Sequence, residues 1–122
     1  MLSLLAPELG GKARQQWLKS QLKENEFSLI LVESARGEKE IFKLGFEGEI
    51  RRYSEHNQIK GLRELIKDIR KYTPAALLSD GGFPCIADPG SELVRETHLA
   101  GIPVTTKGVH SFVMAALMMS GC

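Results

Sequence analysis

The stretch with the most chemical character is Ser79-Asp80-Gly81-Gly82-Phe83-Pro84-Cys85-Ile86-Ala87-Asp88-Pro89-Gly90. It packs three glycines, two prolines and two aspartates into twelve residues. A short apolar run, Ala75-Ala76-Leu77-Leu78, leads into it, and a helical pattern starting near Ser91 leads out. A glycine-rich turn after a buried strand and before a helix is where open α/β folds hold ligands. Gly81 and Gly82 let the backbone approach a ligand, because no Cβ intervenes. Asp88-Pro89 reads more simply as a helix start, with aspartate as N-cap and proline at the first helical position. Several other chemistries are excluded. There is no Gly-x-Gly-x-x-Gly after a strand and no phosphate-loop motif, and Gly108-Val109-His110-Ser111 is not a nucleophile elbow. His56, His98 and His110 lack metal-ligand spacing, so no metal site is expected. Cys85 and Cys122 form neither a metal pair nor a disulfide framework. Cys85 reads as loop packing and His98 as the exposed face of a helix.

The elements that must position this turn are legible from periodicity. The chain has 122 residues, enough for one domain with a real core. Hydrophobic residues make up 43% and charged residues 25%, as in soluble globular proteins. The formal net charge is +1, which gives no argument for nucleic acid and none against a local basic patch. No apolar run reaches the ~18 residues of a membrane-spanning helix. Met1-Leu2-Ser3-Leu4-Leu5 is too short for a signal sequence and lacks a basic start. Cysteine usage favours a reducing cytoplasm.

Residues 2–5 read as a short buried strand and 6–11 as a loop. Residues 12–23 read as a helix with Ala13, Trp17, Leu18 and Leu22 inward and Lys, Arg and Gln outward. Residues 27–32 are almost continuously apolar, which suits a central strand of a parallel sheet. A short helix over 34–44, ended by Gly45, and a strand over 49–53 follow. Residues 58–71 form the clearest helix, its stripe being Ile59, Leu62, Leu65, Ile66 and Ile69. A strand over 75–79 leads to the turn. A helix to about Leu99 ends at Gly101, packing Leu93 and Val94 inward. A strand over 102–106 and an apolar helix over 112–119 complete the chain. Strand and helix alternate about five times, so the expected fold is α/β: a three-layer sandwich around a mainly parallel sheet of about five strands. The last helix is apolar nearly all round and wants cover on more than one side. The chain is therefore expected to be one half of a larger protein or to bury this helix in a homodimer.

The twelve-residue turn resembles the Ser-Asp-Ala-Gly-x-Pro-x-Ile-x-Asp-Pro-Gly signature of the tetrapyrrole methylase superfamily. The likeness is to the branch that methylates the ribose 2′-hydroxyl of 16S ribosomal RNA. It continues in Leu31-Val32-Glu33-Ser34-Ala35-Arg36, in Ser54-Glu55-His56-Asn57, in Ala100-Gly101-Ile102-Pro103-Val104 and in Ala115-Ala116-Leu117-Met118-Met119-Ser120-Gly121. The twelve-residue turn is specific, and the other segments alone are weak. The resemblance implies that residues 1–122 form the N-terminal domain of an S-adenosylmethionine-dependent methyltransferase. It also implies that the cofactor lies in a cleft against a C-terminal α/β domain absent from this chain. Carried over by position, Asp80, Gly81 and Gly82 match the family's cofactor segment, with Cys85 or Ile86 lining the same pocket. Ser111 and Phe112 match the pair after the family's Pro-Gly turn, and Pro7 stands at the first-loop proline. Arg36, Glu55 and His56 are candidates for the substrate side. No catalytic residue is assigned, and the substrate implied is ribosomal RNA or a tetrapyrrole. Two departures matter. The family's Pro-Gly-Pro-Ser turn reads Gly108-Val109-His110-Ser111, and its first loop reads Ala6-Pro7-Glu8-Leu9-Gly10-Gly11. The chain alone is therefore expected to bind the cofactor weakly or not at all. The alternative is a non-catalytic binding or assembly module that keeps the fold. A small doubly wound phosphate or nucleotide binder is a weaker third reading, which the missing motifs count against.

Overall fold

A computed structural model describes residues 1–7, 10–53, 59–80, 90–108 and 112–121, with only the backbone described for 59, 60 and 112–115. Five strands, β1 (Leu2–Leu5), β2 (Leu29–Val32), β3 (Glu49–Arg52), β4 (Ala75–Leu78) and β5 (Val104–Lys107), alternate with five helices. The helices are α1 (Gly11–Asn25), α2 (Ala35–Lys43), α3 (Ile59–Lys71), α4 (Ser91–Leu99) and α5 (Phe112–Ser120). The strands form one sheet in the order β3-β2-β4-β1-β5. Every pairing is parallel.

The apolar runs become strands because both faces of the sheet are covered. Side chains alternate across the sheet with a period of two. Leu29 and Leu31 of β2 join Leu2, Leu4, Ala75 and Leu77 in a core against Leu62, Leu65 and Ile69 of α3 and Leu93 and Val94 of α4. Ile30 and Val32 turn the other way, joining Leu5, Ala76 and Leu78 against Leu18 of α1 and Ile41 of α2. The three central strands β1, β2 and β4 are buried along their whole length, and the edge strands β3 and β5 are half-buried.

Edge strand β3 carries charge on both faces, which blunts it against pairing with another chain. Arg51 reaches Glu49 at 2.9 Å and Asp68 of α3 at 3.6 Å, while Arg52 reaches Glu38 of α2 at 2.8 Å. The hydrogen bond that Arg51 donates to Glu49 holds its guanidinium above its usual pKa against the opposing effect of burial, with the charges of Glu49 and Asp68 adding to the rise.

Three expectations are corrected. In α1 the inward residue of the first turns is Arg14, which is buried, and not Ala13, which is exposed. Helix α4 starts at Ser91 with Gly90 as its N-cap, beyond the Asp88-Pro89 start. Gly90 has φ of 121°, a turn that a residue with a Cβ resists, so the chain bends there before the helix begins. Strand β5 spans Val104–Lys107 and so begins past Pro103, which has no N–H to give to the ladder; the Pro103 carbonyl instead accepts from Leu2 at 2.9 Å. Among the described residues, no helix is long and apolar enough to cross a membrane.

Candidate functional site at the carboxyl edge of the sheet

Because all five strands run the same way, their carboxyl ends share one edge. Register pairs Leu5 with Leu78, Leu5 with Lys107, and Val32 with Leu78. Pro7, Glu33-Ser34, Ser79-Asp80 and Gly108 therefore emerge side by side. Strands β1 and β2 hand over to helices on one face, and β4 hands over to α4 on the other. Adjacent strands whose connections part to opposite faces leave a crevice, where ligands of open α/β sheets bind. The glycine-rich turn springs from β4, between β1 and β2.

The first residues of that turn are held from three sides. Arg14 donates from Nη2 to the Ser79 carbonyl at 3.0 Å. The same guanidinium binds Glu40 of α2 through Nε at 2.9 Å and Nη2 at 3.0 Å. Planar two-point contact of this kind fixes orientation as well as distance. The Asp80 amide N–H donates to Glu33 Oε2 at 3.1 Å, and Ser34 Oγ donates to Asp80 Oδ2 at 2.7 Å. Ser34 sits at the N-cap of α2, yet its hydroxyl makes no cap bond there and serves Asp80. Asp80 Oδ1 is buried with no hydrogen-bond partner among the described residues. It lies close over Gly37, where an added Cβ would meet it at 3.4 Å and Val32 Cβ at 3.0 Å. Buried acceptors are rarely left without a donor, so Oδ1 faces a donor from outside the described residues.

Gly108 closes the other side. Its φ is 90°, and a Cβ there would stand 2.6 Å from the Ala6 carbonyl oxygen and 2.8 Å from Trp17 Cζ2. Ala6 N–H donates to the Lys107 carbonyl at 2.9 Å, locking the exit of β1 to that of β5. Glycine is therefore required where β5 leaves the sheet, although the surrounding motif departs from the family's.

Among the candidates from sequence, Asp80 and the buried Pro7 lie at this edge. Arg36 does not join them: it is exposed and lines a cleft with Gln15, Lys39, Glu40, Lys43 and Leu44 on the α1–α2 face. Gly81, Gly82, Cys85, Ile86, Ser111, Glu55 and His56 lie outside the described residues, as does the side chain of Phe112. His98 is exposed as expected and its Nε2 is hydrogen-bonded to the Met119 carbonyl. Sequence reasoning missed Arg14, Glu33, Ser34, Gly37 and Glu40. One signal was available for Arg14: it lies four residues before Leu18 and three before Trp17, on the inward stripe.

No family model matches the chain. Curated relatives do. A protein of Leptospira biflexa is 33% identical over 98 residues, which is 79% of this chain and 40% of that protein. One of Pseudomonas aeruginosa is 32% identical over 97 residues, 79% of this chain and 34% of that protein. One of Thermotoga maritima is 31% identical over 97 residues, 79% and 44%. The chain thus spans less than half the length of these relatives. The fold and the strand-edge crevice define the class, a doubly wound α/β domain with a crevice beyond the carboxyl ends of its strands. Each of the three relatives is named ribosomal RNA small subunit methyltransferase I, and the chain is similar to the part of each that it spans.

Proposed function

We propose that this chain is the N-terminal domain of an S-adenosylmethionine-dependent methyltransferase whose substrate is the ribose 2′-hydroxyl of small-subunit ribosomal RNA. The observation that carries this reading is the likeness, over 79% of the chain, to proteins named for methylating that RNA. The strand edge supports it physically. S-adenosylmethionine presents an ammonium, ribose hydroxyls and an adenine amine, all donors, and Asp80 Oδ1 is an acceptor lacking one among the described residues. When bound, the cofactor supplies an electrophilic methyl group on a sulfonium.

The chain's own residues bind and orient. Asp80 would take a donor of the cofactor, while Pro7, Gly81, Gly82, Cys85, Ile86, Ser111 and Phe112 would line the same wall. Arg14, Glu33 and Ser34 hold Ser79 and Asp80 in place before the ligand arrives, and such preorganisation is what a displacement reaction needs. In this reading a second α/β domain of the same protein forms the opposite wall, so this chain alone binds the cofactor weakly or not at all. The cytoplasm is the matching compartment.

The test compares this chain with a two-domain protein that contains it. Calorimetry should show S-adenosylmethionine binding to the longer form only, and labelled methyl should enter small-subunit ribosomal RNA and not a porphyrinoid. Micromolar binding by the isolated chain would overturn the half-site, and methyl entering the porphyrinoid would overturn the substrate. Absence of both binding and transfer in the longer form would favour the non-catalytic module, whose supporting feature is the altered turn from Gly108 to Ser111.

A further inference from the structure

Helices α1 and α2 cover the same face of the sheet, and beside them lie two pockets that meet at Leu44, together forming one groove. One compartment, about 620 Å³, is lined by Gln15, Arg36, Lys39, Glu40, Lys43 and Leu44. A second, about 350 Å³, shares Leu44 and adds Lys19, Lys23, Phe46 and Glu47. Lys19 and Lys23 are one helical turn apart on α1, and Arg36, Lys39 and Lys43 follow the i, i+3, i+7 spacing that puts side chains on one face of α2. All five cations are exposed.

The acids of α2 are occupied elsewhere. Glu38 turns away to Arg52 of β3. Glu40 has both carboxylate oxygens bound by Arg14. Glu47 is left against five cations. The surplus of three cations over the two lining acids exceeds the whole chain's formal charge of +1, so the rest of the surface is net acidic. A field concentrated in this way draws in a polyanion.

The second compartment also offers a ring. Phe46 is half-buried beside Gly48, where any Cβ would collide with the Phe46 ring, so the ring lies directly over the backbone. Cations that follow a phosphate backbone beside an aromatic platform for bases are the pattern of single-strand binding. An acidic protein segment would use the cations and leave the ring idle.

We propose that this groove binds the phosphate backbone of single-stranded RNA, at a place separate from the strand-edge site. The proposal rests on the reading that the protein acts on RNA, and it assigns Arg36 to that track together with Lys19, Lys23, Lys39 and Lys43. Charge neutralisation releases counterions, so five phosphate contacts predict a slope of log K against log salt of about −3.5.

The test uses the full chain, without cofactor, and a fluorescent single-stranded RNA of about 12 nucleotides, within the site size of single-strand binders. Two triple variants carry the same net charge: Lys19→Gln/Lys39→Gln/Lys43→Gln in the groove, and Arg63→Gln/Lys67→Gln/Arg95→Gln at exposed positions of α3 and α4. The groove triple should weaken binding at least about tenfold and flatten the salt slope by about 2, and the control triple should do neither. A Lys→Arg triple at the groove positions should retain binding, which separates lost charge from lost fold. Equal weakening by both charge-removing triples, or no RNA binding by the parent chain, would overturn the proposal. So would competition by poly-glutamate as effective as by unlabelled RNA. Because the readout is RNA binding and not methyl transfer, a protein that bound RNA here yet transferred no methyl would sink the proposed function and leave the groove standing.

Discussion

Arg14 is the side chain on which the strand-edge site most depends, and replacing it with methionine isolates its charge from its bulk. The guanidinium is bound at three points: twice to Glu40 and once to the Ser79 carbonyl. The two side chains of the ion pair are 11% and 24% exposed. Breaking a fully buried pair costs about 3–5 kcal/mol, and an exposed one about 0–1 kcal/mol. This pair lies between, since Glu40 can regain some water when Arg14 is gone. The Ser79 carbonyl loses a donor worth about 1 kcal/mol. Together these give about 2–3 kcal/mol of lost stability for Arg14→Met, read by urea unfolding, and a melting temperature lower by roughly 6–15 °C for a chain of this size.

A double-mutant cycle apportions the loss. Glu40→Met leaves the cation buried and should cost a similar amount, while Arg14→Met/Glu40→Met removes both charges into an apolar contact between α1 and α2. The double variant should recover most of the ion-pair part and retain only the Ser79 deficit of about 1 kcal/mol. A single-variant cost below about 0.5 kcal/mol would place the pair among ordinary surface contacts and refute the clamp. Strictly additive singles would refute it as well, because the two side chains would then not be coupled.

Five further outcomes follow from the same geometry. Gly108→Ala should cost at least about 2 kcal/mol and alter Trp17 fluorescence, since the new methyl meets backbone at Ala6 and the Trp17 ring at a positive φ; an unchanged melting curve would show the β5 exit to be looser than described. Leu77→Ala in the fully buried centre of the sheet should cost about 3–5 kcal/mol in urea unfolding, while Glu38→Gln, which breaks a half-exposed pair with Arg52, should cost less than about 1 kcal/mol. Asp80→Ala in a two-domain protein should lower S-adenosylmethionine affinity at least about tenfold, the scale of one charge-assisted hydrogen bond, with the fold retained by circular dichroism. Arg51 has its pKa raised, so its share of stability is complete below the usual arginine range and fades only in strong alkali; pH titration of stability near neutrality should show no step from the β3–α3 link.

How far the sequence reaches can be seen residue by residue. The strands were legible because a strand covered on both faces needs apolar residues at every position, and Leu29-Ile30-Leu31-Val32 and Ala75-Ala76-Leu77-Leu78 leave no other reading. Helix α3 was legible because its stripe has no competitor. In α1 the competitor was one residue away. Ala13 is the more apolar, but Arg14 lies in line with Leu18, and its long stem lets a buried helix position reach Glu40, 26 residues on. No local pattern announces a partner at that distance. The start of α4 misled for a related reason: Asp88-Pro89 satisfies a local rule for caps, while the bend is made by Gly90, whose φ is set by how the chain must leave the sheet. Charge was the least legible property of all. In sequence, Glu38 and Glu40 alternate with Arg36, Lys39 and Lys43, so no one-sign patch stands out. Folding sorts the signs by giving each of those acids a structural cation, Arg52 for one and Arg14 for the other. The pair that anchors the strand-edge turn therefore also strips a carboxylate from the groove behind it. That makes the two sites separable by experiment: Glu40→Gln should loosen the turn at Ser79 while leaving the lysines of the groove uncompensated, so RNA affinity should hold or rise as the fold weakens. A parallel fall of both would mean that the cations of α2 do not face the RNA.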